Sequence, residues 1–227
     1  MRLTNVTKGY GSAVVLNGVS IDFPKGKITC VLGKSGAGKT TLLNLLAGVI
    51  SADGGEMEIP QKVGYVFQEN RLLPHLTVAE NLQFVGGRCE IIEELLQGAG
   101  LEALANRKVK TLSGGEKRRV AFLRAFCVDS DVVLLDEPFC ALDTVTKEGL
   151  LVFTAEHLRR YEKTAVFVTH DVDEAIAIGD RIAVLGEGKI LLETELPQGE
   201  IPREYGSFKE LRCRVIAALR ECAFADE

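Results

Sequence analysis

The sequence has no long basic run and no excess of positive charge. Its 27 lysines and arginines face 32 aspartates and glutamates, a formal net charge of −5, which excludes a broad electrostatic footprint for nucleic acid. The densest basic cluster, Lys117-Arg118-Arg119, reads as the solvated start of a helix rather than a binding patch. Six cysteines stand at positions 30, 89, 127, 140, 213 and 222, none at C-x-x-C spacing, so reduced thiols in a cytosolic protein are expected. No apolar run approaches the roughly 18 residues of a membrane span. Met1-Arg2-Leu3-Thr4 opens no signal peptide, and any service to a membrane is therefore expected to run through another subunit. Sustained heptads and a second set of motifs are also missing, which argues against a long coiled coil or paired units in one chain.

What is present is a chain of 227 residues, 46% apolar and 26% charged, the balance of a folded soluble protein with a substantial core. It is organised around Gly33-Lys34-Ser35-Gly36-Ala37-Gly38-Lys39-Thr40, a full match to the phosphate-binding pattern G-x-x-x-x-G-K-[ST]. The apolar run Ile28 to Leu32 before it reads as a buried strand, and Thr41 to Ala47 after it as a helix stopped by Gly48. The glycines let backbone N–H groups turn inward around phosphate oxygens, and the helix N-terminus adds partial positive charge. Lys39 supplies a full charge to the outer phosphates, and the Thr40 hydroxyl is placed to ligate magnesium.

The residues from Arg2 to Phe23 mix short β-like runs with turn residues and predict an antiparallel β layer ahead of this loop. Tyr10, flanked by Gly9 and Gly11, suits either stacking on a base or simple packing. A strand over Val63 to Phe67 ends at Gln68, a polar residue placed to face a ligand cleft. From Leu72 to Cys127 the pattern is helical, over Val78–Val85, Ile91–Gln97 and Glu116–Val128, and reads as an insertion between two parts of an α/β core. The core resumes at Asp131 to Pro138, where Asp136 and Glu137 end an apolar strand. Beside a phosphate loop, Asp136 suits magnesium or its water, and Glu137 suits the general base that polarises an attacking water. After a helix over Val145 to Glu162, the strand Thr164 to Thr169 ends at His170, where a γ-phosphate contact competes with a structural role. A further strand spans Arg181 to Leu185. Phe208, Leu211, Val215, Ile216 and Leu219 then fall on one face of a terminal helix.

Leu112-Ser113-Gly114-Gly115-Glu116 opens a basic helix and makes a second anion site. Two phosphate sites and one nucleotide suggest that each completes another molecule's pocket. With a phosphate loop and this signature just upstream of an acidic strand end, the chain resembles the ATP-binding cassette (ABC) ATPases over nearly its whole length. The resemblance implies an α/β fold: a P-loop NTPase core with a parallel sheet, an N-terminal antiparallel β layer and an inserted helical subdomain at about 72–128. It implies a single domain over 1–227 that ends in a helix at about 207–223. ATP and Mg²⁺ are the implied ligands. By the same resemblance Tyr10 stacks on adenine, and Gly33, Lys34, Ser35, Gly36, Ala37, Gly38, Lys39, Thr40 and Thr41 cradle the phosphates. Thr40, Gln68 and Asp136 attend the metal, Gln68 also senses the membrane partner, Glu137 is the base and His170 the switch histidine. Two copies close head to tail, so that Ser113, Gly114 and Gly115 of one touch the γ-phosphate held by Lys39 of the other, with Asp143 in Ala141-Leu142-Asp143 contacting the opposite copy.

Three departures stand out. Glu116 replaces the usual Gln near the nucleotide sugar, Cys140 stands where Gly or Ser is usual, and the segment from Gly48 to Gln68 is short, which predicts a trimmed outer β layer. The strings Phe67 to Pro74, Pro138 to Asp143 and Thr169 to Ala175 resemble the importer branch, closest to nitrate, sulfonate and taurine-type uptake ATPases. The expected partners are permease subunits, a second copy of the chain and a possible extracytoplasmic solute-binding protein, with no nucleic acid, at the cytoplasmic face of the membrane. The alternative is an ATPase of a lipoprotein-release or cell-division complex, whose members usually carry Thr-Gly-Asn in place of Phe139-Cys140-Ala141.

Overall fold

The computed structural model describes residues 1–140, 142–197, 199, 203–204 and 208–221. Strands β1 (Arg2–Tyr10) and β2 (Ala13–Asp22) form a hairpin, and β3 (Ile28–Leu32) leads through the glycine loop into α1 (Lys39–Leu46). β4 (Gly54–Glu58) and β5 (Gly64–Val66) precede three helices, α2 (Val78–Phe84), α3 (Cys89–Gly98) and α4 (Gly114–Cys127). The chain continues through β6 (Val132–Asp136), α5 (Thr144–Arg160), β7 (Thr164–Thr169), α6 (Val172–Ile178), β8 (Arg181–Gly186), β9 (Lys189–Glu195) and α7 (Lys209–Glu221).

These strands make two sheets. The outer one has the order β2-β1-β4 and is antiparallel. The inner one has the order β5-β6-β7-β3-β8-β9, parallel throughout except for β9 against β8. The apolar runs of β3, β6 and β7 are buried at every position, because both faces of this sheet are covered. Side chains that alternate along a strand enter two different cores. Cys30, Val133, Leu135 and Phe167 pack with α4, α5 and α6, while Val31, Val132, Leu134 and Val168 pack with α1 and the outer sheet. Burial of this kind contributes about 25 cal/mol per Å² of apolar area, and it locks the strand order that places the site.

The stretch from 72 to 128 contains only helices and short turns among its described elements, in line with its periodicity. Thr77 and Glu80 cap α2 reciprocally. Buried Asn81 bridges this helix to the loop before it, accepting from Leu73 N and donating to the Leu73 and Thr77 carbonyls. The segment between Gly48 and Gln68 supplies one strand, β4, to an outer sheet of three strands.

Two expectations change. Arg118 does not sit in a solvated cluster: it is 6% exposed and its guanidinium lies inside the molecule. It shares a helical face with Phe122, Ala125 and Phe126, at spacings of four, seven and eight, so the burying stripe runs through it. On α7, Val215 and Ala218 are the buried residues, with Leu211 and Leu219 packed beside them, whereas Phe208 precedes the helix and is exposed. Ala141, residue 207 and residues 222–223 of the expected terminal helix, with Cys222, lie outside the described residues. The described cysteines are free thiols, with Cys30 and Cys127 buried. Among the described residues no helix is long and apolar enough to cross a membrane.

The inserted helices meet the core where α4 crosses β5. A Cβ on Gly64 would stand 2.0 Å from the Ala125 carbonyl oxygen, a backbone atom with no room to move. Gly64→Ala should therefore destabilise the protein by about 1–3 kcal/mol, read as a lower denaturant midpoint at unchanged slope.

Candidate functional site

Four neighbouring strands of the inner sheet, β5, β6, β7 and β3, end at the same edge, and each C-terminal end carries one of the polar residues singled out above. Ligands of open α/β sheets bind at this edge because the loops leaving it point one way. β3 runs into Gly33–Gly38, where Gly36 and Gly38 take φ of 82° and 97°, conformations that a side chain disfavours. Gly38 also sits against Val15 and Leu16 of β2, which a Cβ would meet at 3.0 and 2.9 Å. The outer sheet thereby touches the loop, and exposed Tyr10 lies at the hairpin end of that same sheet, with the Lys8 ammonium 5.7 Å from its ring centre.

Lys39 begins α1, buried to 7% exposure. Its ammonium donates to the carbonyls of Gly33 and Lys34 at 2.8 Å each and forms no salt bridge with a carboxylate among the described residues. Burial lowers its pKa from the ordinary lysine value, while Glu137 and Asp136 work the other way. The charge is thus held in the loop by two backbone carbonyls, with Glu137 and Asp136 adding attraction. Thr40 Oγ1 donates to Asp136 Oδ2 at 2.8 Å. Burial raises the Asp136 pKa above the usual carboxylate range, against the pull of Thr40, so this carboxylate gains from a cation beside it. A hydroxyl and a carboxylate at one point fit magnesium, which takes few protein ligands and completes its shell with phosphate oxygens and water. No group of three or more His, Cys, Asp or Glu side chains that would hold a metal unaided occurs among the described residues.

Glu137 has φ of 44°, a left-handed conformation uncommon for a side-chain-bearing residue and concentrated at functional sites. Its N–H donates to Val168 O at 3.0 Å, and its carboxylate stands 3.4 Å from Nδ1 of exposed His170. Gln68 is exposed just past β5. Asp143 caps α5 by accepting from Thr146 N at 3.0 Å. Lys34, Ser35 and Gly36 are exposed at the loop tip, and Ala37 and Thr41 half-buried on either side of Lys39.

The structure does not bring the serine-glycine tip to this cluster. Ser113 caps α4 and shares a capping box with Glu116: Ser113 Oγ accepts from Glu116 N at 3.3 Å, and Glu116 Oε2 accepts from Ser113 N at 2.7 Å. The Ser113 N–H holds the Glu116 carboxylate below the usual range. Ser113 and Gly114 are exposed, Gly115 half-buried near Leu142. No hydrogen bond or ion pair links this tip to the Lys39 loop among the described residues.

The description "ABC transporter" belongs to the family model that matches residues 16–140. The chain belongs to this family. It is 38% identical to the aliphatic sulfonates import ATP-binding protein SsuB 2 of Rhodococcus jostii (strain RHA1), across 96% of this chain and 92% of that one. It is also 39% identical to the sulfate/thiosulfate import ATP-binding protein CysA of Nocardia farcinica (strain IFM 10152), across 83% of this chain and 62% of that one. Among solved structures it resembles the ATP-binding cassette MJ0796, as a dimer in a post-hydrolysis state bound to ADP and Pi, with a TM-score of 0.78 and 32% identity over 87% of this chain and 99% of that one. The ABC chain described here is accordingly an ATPase with the cassette fold.

Two features of this ABC ATPase were not legible as site residues. One is Arg118, whose place on the apolar stripe of α4 was the available signal. The other is Lys147, one turn into α5, whose Nζ donates to Asp171 Oδ2 at 3.2 Å and Glu174 Oε1 at 2.8 Å. Glu174 in turn accepts from Thr169 Oγ1 at 2.6 Å. This network binds the start of the Asp143 helix to the turn that carries His170. Burial opposes the charged form of Asp171, yet Lys147 and backbone donors hold its pKa below the usual range; at Lys147 burial is outweighed by Glu174 and Asp171, which together raise its pKa. A depressed Asp contributes stability above its unfolded pKa and loses it as pH falls through the folded value. A raised Lys contributes below its unfolded pKa and loses it on the alkaline side. Lys147→Met should thus cost about 2 kcal/mol at neutral pH, a difference that shrinks in denaturation curves taken below about pH 4.

Proposed function

We propose that the chain is the ATP-hydrolysing subunit of an ABC importer, working as a head-to-tail pair on the cytoplasmic face of a membrane permease. The observation that carries this reading is the separation of two anion sites. Lys39, Thr40, Asp136, Glu137 and His170 meet at one sheet edge, while Ser113, Gly114 and Gly115 stand apart on the tip of α4, with no hydrogen bond or ion pair to the Lys39 loop among the described residues. An ATP molecule held by Lys39 of one copy would be completed by the α4 tip of the other.

In this reading Gly33 to Gly38 and Thr41 wrap the phosphates, Lys39 holds the outer ones, and Tyr10 stacks on adenine. Bound magnesium supplies charge neutralisation at the phosphate oxygens, and Thr40, Asp136 and Gln68 are the groups that would hold it. Glu137 takes a proton from the attacking water as its oxygen bonds to the γ-phosphorus. The bond to the β-γ bridging oxygen breaks, and ADP and phosphate leave. His170, beside Glu137, contacts the γ-phosphoryl group and holds the base in line. Asp143 meets the opposite copy. Glu116, engaged in capping α4, orients the tip that its neighbour requires. Loss of the γ-phosphate removes the bridge between copies, and the pair reopens.

A groove of about 340 Å³ opens next to Gln68, lined by Ala47, Val49, Tyr65, Phe67, Arg71 and Arg124 among others. Its place beside the Gln68 loop and at the junction of the core with the inserted helices supports it as the permease contact. The relatives named for sulfonate and sulfate/thiosulfate import support a small sulfur oxyanion as cargo, delivered by a solute-binding protein on the far side.

Glu137→Gln tests the chemical core of the proposal. It should lower ATP turnover by about 10²–10⁴-fold while ATP now accumulates a stable pair of chains on gel filtration. Turnover at the parent rate would refute Glu137 as the base.

A further inference from the structure

The guanidinium of Arg118 has five N–H donors, and all five are used. Nε donates to Pro138 O at 3.0 Å, Nη1 to Phe67 O at 2.7 Å and Gln68 O at 2.9 Å, and Nη2 to Asp136 O at 3.2 Å and Glu137 O at 2.7 Å. Every acceptor is a backbone carbonyl, and no carboxylate forms a salt bridge with this cation among the described residues. A buried charge is costly unless it is fully hydrogen-bonded, and here the compensation comes from the ends of two neighbouring strands, β5 and β6. Those carbonyls belong to Gln68, to the strained residue Glu137, and to their immediate neighbours.

The same helix grips the first of these segments a second time. Arg124 Nη1 donates to Arg71 O at 2.5 Å, and the Arg71 guanidinium lies 3.9 Å from the Phe67 ring centre. α4 therefore holds both ends of Phe67–Arg71, while its own N-terminus is the Ser113 tip. A planar fork with fixed donor directions sets the separation of the carbonyls it spans, which a flexible ammonium with three donors does not.

We propose that Arg118 is a positioning residue for ATP hydrolysis, fixing the backbones of Gln68 and Glu137 relative to each other and to the helix that presents Ser113. Movement of the Gln68 loop is then passed through one rigid cation to the base and to the tip that enters the opposite copy. The inference rests on Glu137 as base and Gln68 as the permease-facing residue, and goes beyond both by naming what joins them.

The test uses Arg118→Lys and Arg118→Gln in the full chain, alone and assembled with its permease. Both should keep ATP affinity within about twofold of the parent while kcat falls by roughly 10–100-fold, the scale of a misplaced catalytic group. Amide exchange at Gln68–Arg71 and at Glu137 should quicken in both, a readout independent of turnover, and the permease-dependent stimulation of kcat should be lost. Unchanged kcat with unchanged exchange in both variants would overturn the proposal. So would thermal stability, ATP affinity and kcat falling together in whichever variant folds, which is the signature of packing alone. Failure of Glu137 as base is distinguished by Glu137→Gln, which leaves the exchange response to Arg118→Lys intact.

Discussion

A parallel sheet buried on both faces leaves a ligand only the edge where its strands end, and this constraint shapes the rest of the molecule. The outer antiparallel sheet covers one face and α4, α5 and α6 the other, so the polar residues at the ends of β3, β5, β6 and β7 have one direction in which to face. Lys39, Gln68, Glu137 and His170 are far apart in the chain, and hydrophobic burial of the strands behind them makes them neighbours. Their assembly costs little because the strand order is already set by the two cores.

The two buried cations at the site, Lys39 and Arg118, are compensated by backbone carbonyls. Lys39 is held by two loop carbonyls and Arg118 by five. Among the described residues neither cation forms a salt bridge with a carboxylate, so the donors of each are spent on backbone carbonyls rather than on an opposite charge. Asp136 is the converse, a buried carboxylate whose ionised form is disfavoured by burial. An ion-paired cluster, Lys147 between Asp171 and Glu174, lies behind His170, where two helices must be fastened together.

Much of this was legible in the sequence, and for identifiable reasons. The glycine loop, the acidic strand end at Asp136 and Glu137 and the runs of β3, β6 and β7 follow local rules, apolar continuity for a doubly buried strand and glycine where φ is positive. The helical character of 72–128 followed from periodicity. Arg118 escaped because a basic triplet suggests solvent, and only three-dimensional packing shows five carbonyls converging on one point. Lys147 escaped because its partners lie 24 and 27 residues away. Glu116, noted only as a departure from the usual Gln, takes its capping role from geometry at a helix start, where a Ser followed three residues later by Glu is a recognised signature.

The central claim is that each nucleotide pocket draws its two halves from different chains. Mixing differently labelled Lys39→Ala and Ser113→Glu chains tests it directly, since neither variant alone can form a complete pocket, yet a mixed pair retains Lys39 of one copy opposite Ser113 of the other. The account predicts ATP-driven association, read by energy transfer between the labels, in the mixture and in neither variant alone. A mixture as silent as its components would contradict it.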